Sequence, residues 1–322
     1  MKKIVLIIFT TFLLSFYSNV SHLAAEPIYI GFAASMQESE KEKEDILTFK
    51  GCSIIRRAFM SEAAVAYEKA TGKKINVMGG GATLGIRAAA AGDADIGGSC
   101  RPCLPNWFDE EKGVYMTHVA WDSLVIITHP SNTIDSITLP QAKGILLGNI
   151  TNWKEVGGLD RPIKPAFRSQ VPEHGGKVSG VGYMSRVLIF NDPNISYTEK
   201  GLFFRHSAEV EEIIEKIKYT FGITGISSAR KRNVKTLKLN GTEPSKENIG
   251  SGKYPLFRPL YLITKGKPTG DVKEFIDWLL GEEGQNVVSE QGTVNLIEGK
   301  GLKEKFKFWE HTNLITNHRG IP

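Results

Sequence analysis

Apolar and polar positions along this chain fall into two alternating rhythms. In "ILTFKGCSIIRRAFMSEAAVAYEKATGK", Leu47 to Phe49 suits the end of a strand and Gly51 a turn. Ser53 is then a plausible helix N-cap, and Ile55, Phe59, Ala63 and Tyr67 follow at helical spacing until the stop at Gly72. "KKINVMGGGATLGIRAAAAGDADIGGS" repeats the layout: a strand ending at Met78, a glycine loop, a helix from about Thr83 to Ala91, and a short strand over Ala94 to Gly97. The apolar runs Ser123 to Thr128 and Leu260 to Thr264 read as buried strands. Between them, "TLPQAKGILLGNITNWKEVGG" predicts a helix and a turn, "IKPAFR" a strand ending at Arg168, and Ser179 the start of a new helix. "SAEVEEIIEKIKYTFGITGISS" predicts an amphipathic helix and then a glycine turn from Gly222 to Gly225, and "DVKEFIDWLLGEEGQNVVSEQG" one late helix. Strands alternating with helices predict an α/β fold with largely parallel sheets.

The first residues break this rhythm. Lys2 and Lys3 precede an apolar stretch, Ile4 to Phe16, with small residues at Ala24 and Ala25. This is the pattern of a signal peptide over residues 1–25, and the stretch is shorter than the ~20 residues of a membrane span. An uncleaved anchor is the alternative. A short strand is predicted within Glu26 to Ser35. Removal of the leader leaves roughly three hundred residues, enough for two domains.

Composition adds less. The net charge of +5 is modest and spread out, and the one compact basic cluster, Arg230-Lys231-Arg232, reads as a solvated turn. No nucleic-acid footprint results. Three cysteines are present, an odd number for an exported chain.

Three loops share one layout, in which a strand ends, small residues turn and a helix begins: Gly51-Cys52-Ser53, Gly79 to Thr83, and Ser179 to Gly182. Helix starts carry free N–H groups and partial positive charge, so several of them converging would cage an oxyanion. Arg101 and Arg168, each near a strand end, are candidates for a guanidinium fork on the same oxygens. "GGGATLG" lacks the spacing of a dinucleotide fingerprint, and "GGKVSG" lacks that of a phosphate-binding Walker loop.

"LLGNITNWKEVGG" (Leu146 to Gly158), "NIGSGKYPLFRPLYLITKG" (Asn248 to Gly266), "EFIDWLLGEEGQNVVSEQG" (Glu274 to Gly292) and "GGGATLGIRAAAAGDADIGGSCRP" carry a resemblance. With them the chain resembles the phosphate-binding periplasmic proteins of phosphate ABC transporters, within the type II solute-binding superfamily, from about Gly51 to Leu296. The resemblance implies two α/β lobes closing over a ligand cleft: residues 26–130 plus 254–322, and residues 131–253. It implies a monomer without a cofactor or metal, partnered by an inorganic oxyanion and an ABC permease. It also implies ligands at Ser53 and Ile54, at Gly80, Gly81, Ala82 and Thr83, at Arg168, and at Ser179, Gly180 and Val181. Glycine or alanine replaces the family's serine in the glycine loop, and Val181 replaces a threonine. The segment Arg168 to Ser179 is longer than usual and adds His174 and Lys177. Cys100 stands where the family has an aspartate or serine.

Cys52 and Cys100 are therefore expected to face one pocket, with Cys103 close by. The open readings are a Cys100–Cys103 or Cys52–Cys100 disulfide, buried apolar thiols, a redox C-x-x-C, and a thiophilic ligand such as arsenite. Zinc lacks a second ligand pair. Capture of phosphate or a similar oxyanion for an ABC transporter is the leading function. A ligand sensor for a membrane histidine kinase is the alternative, possible also with a thiophilic oxyanion. No paired carboxylates or nucleophile–histidine set point to an enzyme.

Overall fold

A computed structural model describes residues 46–168 and 178–310. The expected signal peptide, the strand expected within Glu26 to Ser35, and the segment with His174 and Lys177 lie outside the described residues. Strand β1 (Ile46–Cys52) leads into a helical turn α1 (Ser53–Ile55), a π-helical turn (Arg56–Met60) and helix α2 (Ser61–Thr71). β2 (Lys74–Gly80), α3 (Ala82–Ala91) and β3 (Ile96–Ser99) follow. Ile55, Phe59, Ala63 and Tyr67 are all buried. Strict four-residue spacing drifts around a regular helix, and the wider π turn offsets that drift. Gly72, with φ of 77°, ends α2 as expected.

The long strand β4 (Val114–Thr128) is followed by α4 (Leu139–Leu147), β5 (Lys164–Arg168), α5 (Gly180–Phe190), β6 (Leu202–Phe204), α6 (Ser207–Lys216) and β7 (Thr220–Gly225). β8 (Phe257–Lys265), α7 (Gly270–Leu280) and α8 (Glu282–Glu290) come last, with a final helix at Leu302–Glu310. The expected single late helix is thus two helices meeting at Gly281, whose extended backbone breaks the run.

Among the described residues the main sheet has nine strands, eight of them in the order β2-β1-β3-β8-β4-β7-β5-β6, with Lys235–Thr236 paired to β4. The expected parallel character holds at both ends, where β2-β1-β3 and β7-β5-β6 are parallel. The centre is antiparallel: β8 pairs antiparallel to β3 and β4, and β4 antiparallel to β7. β4 and β8 are the two buried runs seen in the sequence, extended at their ends.

Two glycine turns expected from the sequence are strand instead. Gly222 and Gly225 lie in β7. Gly51 lies in β1, where a Cβ would come 2.6 Å from the Cα of Gly98 on β3. At Gly85 of α3 a Cβ would lie 2.5 Å from the Gly98 oxygen and 2.9 Å from the Cα of Gly51. The glycines serve close approach of a helix to two strands rather than chain reversal.

Candidate functional site

Strand registers explain why distant loops meet. Ser99, the last residue of β3, is level with Tyr261, which is level with His118 of β4. β3 and β4 thus run the same way, and β3 ends beside the middle of β4. β7 runs the opposite way and ends at Gly225, opposite Leu124. The carboxyl ends of both parallel sets therefore face each other across the stretch His118 to Leu124. Carboxyl ends of parallel strands, each followed by a helix start, are where α/β sheets bind ligands.

A buried ion pair marks this junction. Asp122 Oδ2 accepts from Arg258 Nε and Nη2 at 3.1 and 2.8 Å, and both side chains are fully buried. Asp122 Oδ1 accepts from the Ser227 hydroxyl at 2.8 Å, tying the chain just after β7 to β4. Arg258 Nη1 reaches the Cys100 carbonyl at 3.5 Å. Neither residue was singled out in the sequence, although Asp122 and Arg258 are charges of opposite sign set within apolar strands.

Around the junction stand the expected loops. Cys52 is the N-cap of α1, one residue before the Ser53 expected there. The Ser53 hydroxyl donates to the Gly80 carbonyl at 2.9 Å, joining the first loop to the second. Gly81 caps α3, and Ala82 and Thr83 begin it. From the opposite side, Ser179 caps α5 by accepting from the Gly182 N–H at 3.1 Å. A Cβ on Gly180 would lie 2.5 Å from Cys100 Sγ and 3.3 Å from the Ala82 Cβ, so the second and third helix starts abut. Arg168, at the end of β5, donates from Nε to the Ser179 hydroxyl at 2.9 Å and from Nη1 to the Phe204 carbonyl at 2.6 Å. Ile54 and Val181 are buried in the first turns of α1 and α5. The structure thus brings Cys52, Ser53, Ile54, Gly80, Gly81, Ala82, Cys100, Arg168, Ser179, Gly180 and Val181 to one place.

Arg101 and Thr83 are drawn into a different arrangement. Arg101 is fully buried and forks onto Glu111, from Nη1 at 2.8 Å and Nη2 at 2.6 Å, with Nη2 also 3.0 Å from the Thr83 hydroxyl. Thr83 exchanges hydrogen bonds with both the N–H and the carbonyl of Val178, each at 2.9 Å. The guanidinium expected to hold an anion is neutralised by a carboxylate, and together with Thr83 it anchors the residue that leads into α5. Glu111 carried no motif that would have flagged it.

All three cysteines are free and buried. Cys52 Sγ and Cys100 Sγ are 2.9 Å apart, and Gly180 faces the latter. The hydrogen bond shared with Cys100 lowers the Cys52 thiol to about 7, opposed by burial and assisted by Arg258 and the N–H groups of Ile54 and Ile55. Cys100 moves the other way, well up, through the same hydrogen bond and burial. Cys103 belongs elsewhere: it packs with Ile86, Ala89, Met116, Tyr261 and Ile263, and burial pushes its thiol up to about 12. The Cys100–Cys103 pairing is therefore replaced by a Cys52–Cys100 contact, and Cys103 is an apolar filler. Burial lowers Arg168 to about 10, which leaves it a cation at neutral pH.

The family model for the PBP superfamily domain matches residues 56–283. The phosphate-binding protein PstS of Borreliella burgdorferi is 27% identical over 261 residues, covering 80% of this chain and 92% of that protein. PstS of Bacillus subtilis is 27% identical, over 83% of this chain and 86% of that one. Among solved structures, one from Clostridium perfringens with bound phosphate, described as a phosphate ABC transporter substrate-binding protein, superposes with a TM-score of 0.69 at 27% identity. It covers 78% of this chain and 99% of its own. An ABC-type phosphate transport receptor from Vibrio cholerae gives a TM-score of 0.59 at 26% identity, over 77% of this chain and 99% of its own.

Proposed function

The chain belongs to the PBP superfamily, and we propose that it captures inorganic phosphate between two lobes and delivers it to an ABC permease. The observation that carries this reading is the convergence of three helix starts and Arg168 on the junction between the two parallel strand sets. N–H groups at helix starts satisfy anionic oxygens without bulk water, and a guanidinium supplies the charge-assisted hydrogen bonds. Ser53 and Ser179 add hydroxyls that rotate from their present partners onto a ligand. No step of bond making is involved: the relatives are named as binding proteins.

In this reading residues 26–130 and 254–322 form one lobe and residues 131–253 the other, with β4 and β8 at the crossover. Arg57 then acts across the cleft, donating to Glu211 at 2.9 Å and to Ser228 at 2.6 Å. Thr83 with Val178, and Cys100 with Gly180, do the same. These contacts close the trap over its guest. Residues 1–25 export the chain to the periplasm, where it works as a monomer. Among the described residues no helix is long and apolar enough to cross a membrane. The transport role is preferred over sensing because the solved structures it resembles are described as transport components.

Titrating inorganic phosphate into the reduced chain by calorimetry tests the reading. One phosphate per chain is expected, with binding weakened in Arg168→Met. No phosphate uptake, or an Arg168→Met variant that binds as the parent does, overturns it.

A further inference from the structure

Phosphate capture leaves the two sulfurs at the centre of the site without a task. A thiol is a weak donor to an oxyanion, and a thiolate repels one. Yet Cys52 and Cys100 sit at the carboxyl ends of adjacent parallel strands, 2.9 Å apart, among the N–H groups expected to hold oxygen. The absence of a side chain at position 180 leaves room for the Cys100 sulfur. A chelating pair of soft donors set inside a hard, oxygen-seeking cradle matches a guest that has both characters.

We infer that the same cradle takes a second guest, a trivalent thiophilic oxyacid of the arsenite type, held through Cys52 and Cys100. This rests on the reading of the cradle as an oxyanion site. Trivalent arsenic hydroxide is uncharged near neutral pH, so the thiolate that opposes phosphate does not oppose it. Two thiols condense with it: each As–O bond that breaks is replaced by an As–S bond, and each departing hydroxide leaves as water with the thiol proton. The product is a dithiolate of As–OH and two waters, and arsenic stays trivalent throughout. The remaining oxygen faces the helix starts and Arg168. Two sulfurs in contact need only separate slightly to chelate one atom. Among the described residues no group of three or more His, Cys, Asp or Glu is placed to hold a metal ion, so the pair suits a centre that fills its other positions with oxygen.

Equilibrium dialysis of sodium arsenite against the full chain, kept reduced with a phosphine, tests this. One arsenic per chain is expected, with a near-ultraviolet arsenic–thiolate absorption and displacement by excess phosphate. Cys52→Ser and Cys100→Ser lose the arsenic and the absorption, and Cys103→Ala, packed away from the cradle, changes neither arsenic nor phosphate uptake. Because the absorption and the phosphate competition are read on the parent chain, they stand even where a serine variant fails to fold. Arsenic retained by Cys52→Ser or Cys100→Ser, or absent from a reduced parent that binds phosphate, overturns the inference and leaves phosphate capture intact. Arsenic held by the thiols but not displaced by phosphate overturns the shared cradle. A chain that takes up neither overturns both.

Discussion

Gly180, at the start of α5, lies against the sulfur of Cys100: a Cβ there would come within 2.5 Å of Sγ. Overpacking of a tight core contact costs about 1–3 kcal/mol. Gly180→Ala is therefore expected to destabilise the chain by that amount and to weaken phosphate binding by pushing α5 outward. Adding Cys100→Ala removes the sulfur and should restore part of both. Urea denaturation of the parent, single and double variants measures the coupling, and strictly additive losses would contradict this packing.

Among the described residues Arg168 is the cation proposed to hold phosphate. Hydrogen bonds to charged groups contribute about 1.5–3 kcal/mol. Arg168→Met should weaken phosphate by a corresponding factor, read by calorimetry.

Arg101 should behave in the opposite way. Its partner Glu111 is fully buried and also accepts from the Leu104 N–H at 2.8 Å. Glu111→Ala leaves a buried guanidinium without its carboxylate, a change that costs about 3–5 kcal/mol. Loss of stability in chemical denaturation is expected first. A fully stable variant would show that Arg101 has found water or another acceptor.

Cys52 introduces a pH dependence into anion capture. As pH rises through about 7 its thiolate forms beside the cradle. Phosphate itself gains charge in this range, so the comparison is with Cys52→Ser. The ratio of serine-variant to parent affinity should grow between pH 6 and 8. By linkage, phosphate binding should also raise the pKa of Cys52. A ratio independent of pH would remove the thiolate from the site.

His118 gives a second titration, at the edge of the junction. Burial lowers its pKa from 6.5 to about 4, while its Nε2 hydrogen-bonds the Ala120 carbonyl at 3.0 Å. Between these values the unfolded chain binds a proton that the folded chain does not. Stability from this group is thus complete above pH 6.5 and is lost as pH falls toward 4. His118→Gln should flatten the pH dependence of the urea midpoint over that interval.

The loops were legible from the sequence because helix starts after strands use few residue types. Ser53 and Ala82 begin helices, Gly80 stands two residues before one, Ser179 caps one, and Arg168 ends a strand. The resemblance then assembled the same loops into one cradle. What stayed hidden depends on partners distant in the chain. Arg101 reads as an anion ligand until Glu111 is seen beside it, and Asp122 with Arg258 comes from strands 136 residues apart. The glycines of β1 and β7 read as turns because the sequence does not say that a helix or strand presses against them. The length of β4 was underestimated because its first half mixes polar and apolar residues that face different neighbours.

The sharing of β4 by both strand sets has a mechanical consequence. Among the described residues β4 is the strand whose ladder engages β8 along Val114 to Ser123 and β7 from Leu124 onward. If the two sets swing as the proposed trap requires, they turn about Ser123 and Leu124, next to the proposed site. With the pivot and the cargo so close together the lever arm is short. A wide angular movement at the rim thus displaces Asp122 and Arg258 hardly at all, so the floor of the site stays in place while its walls come and go.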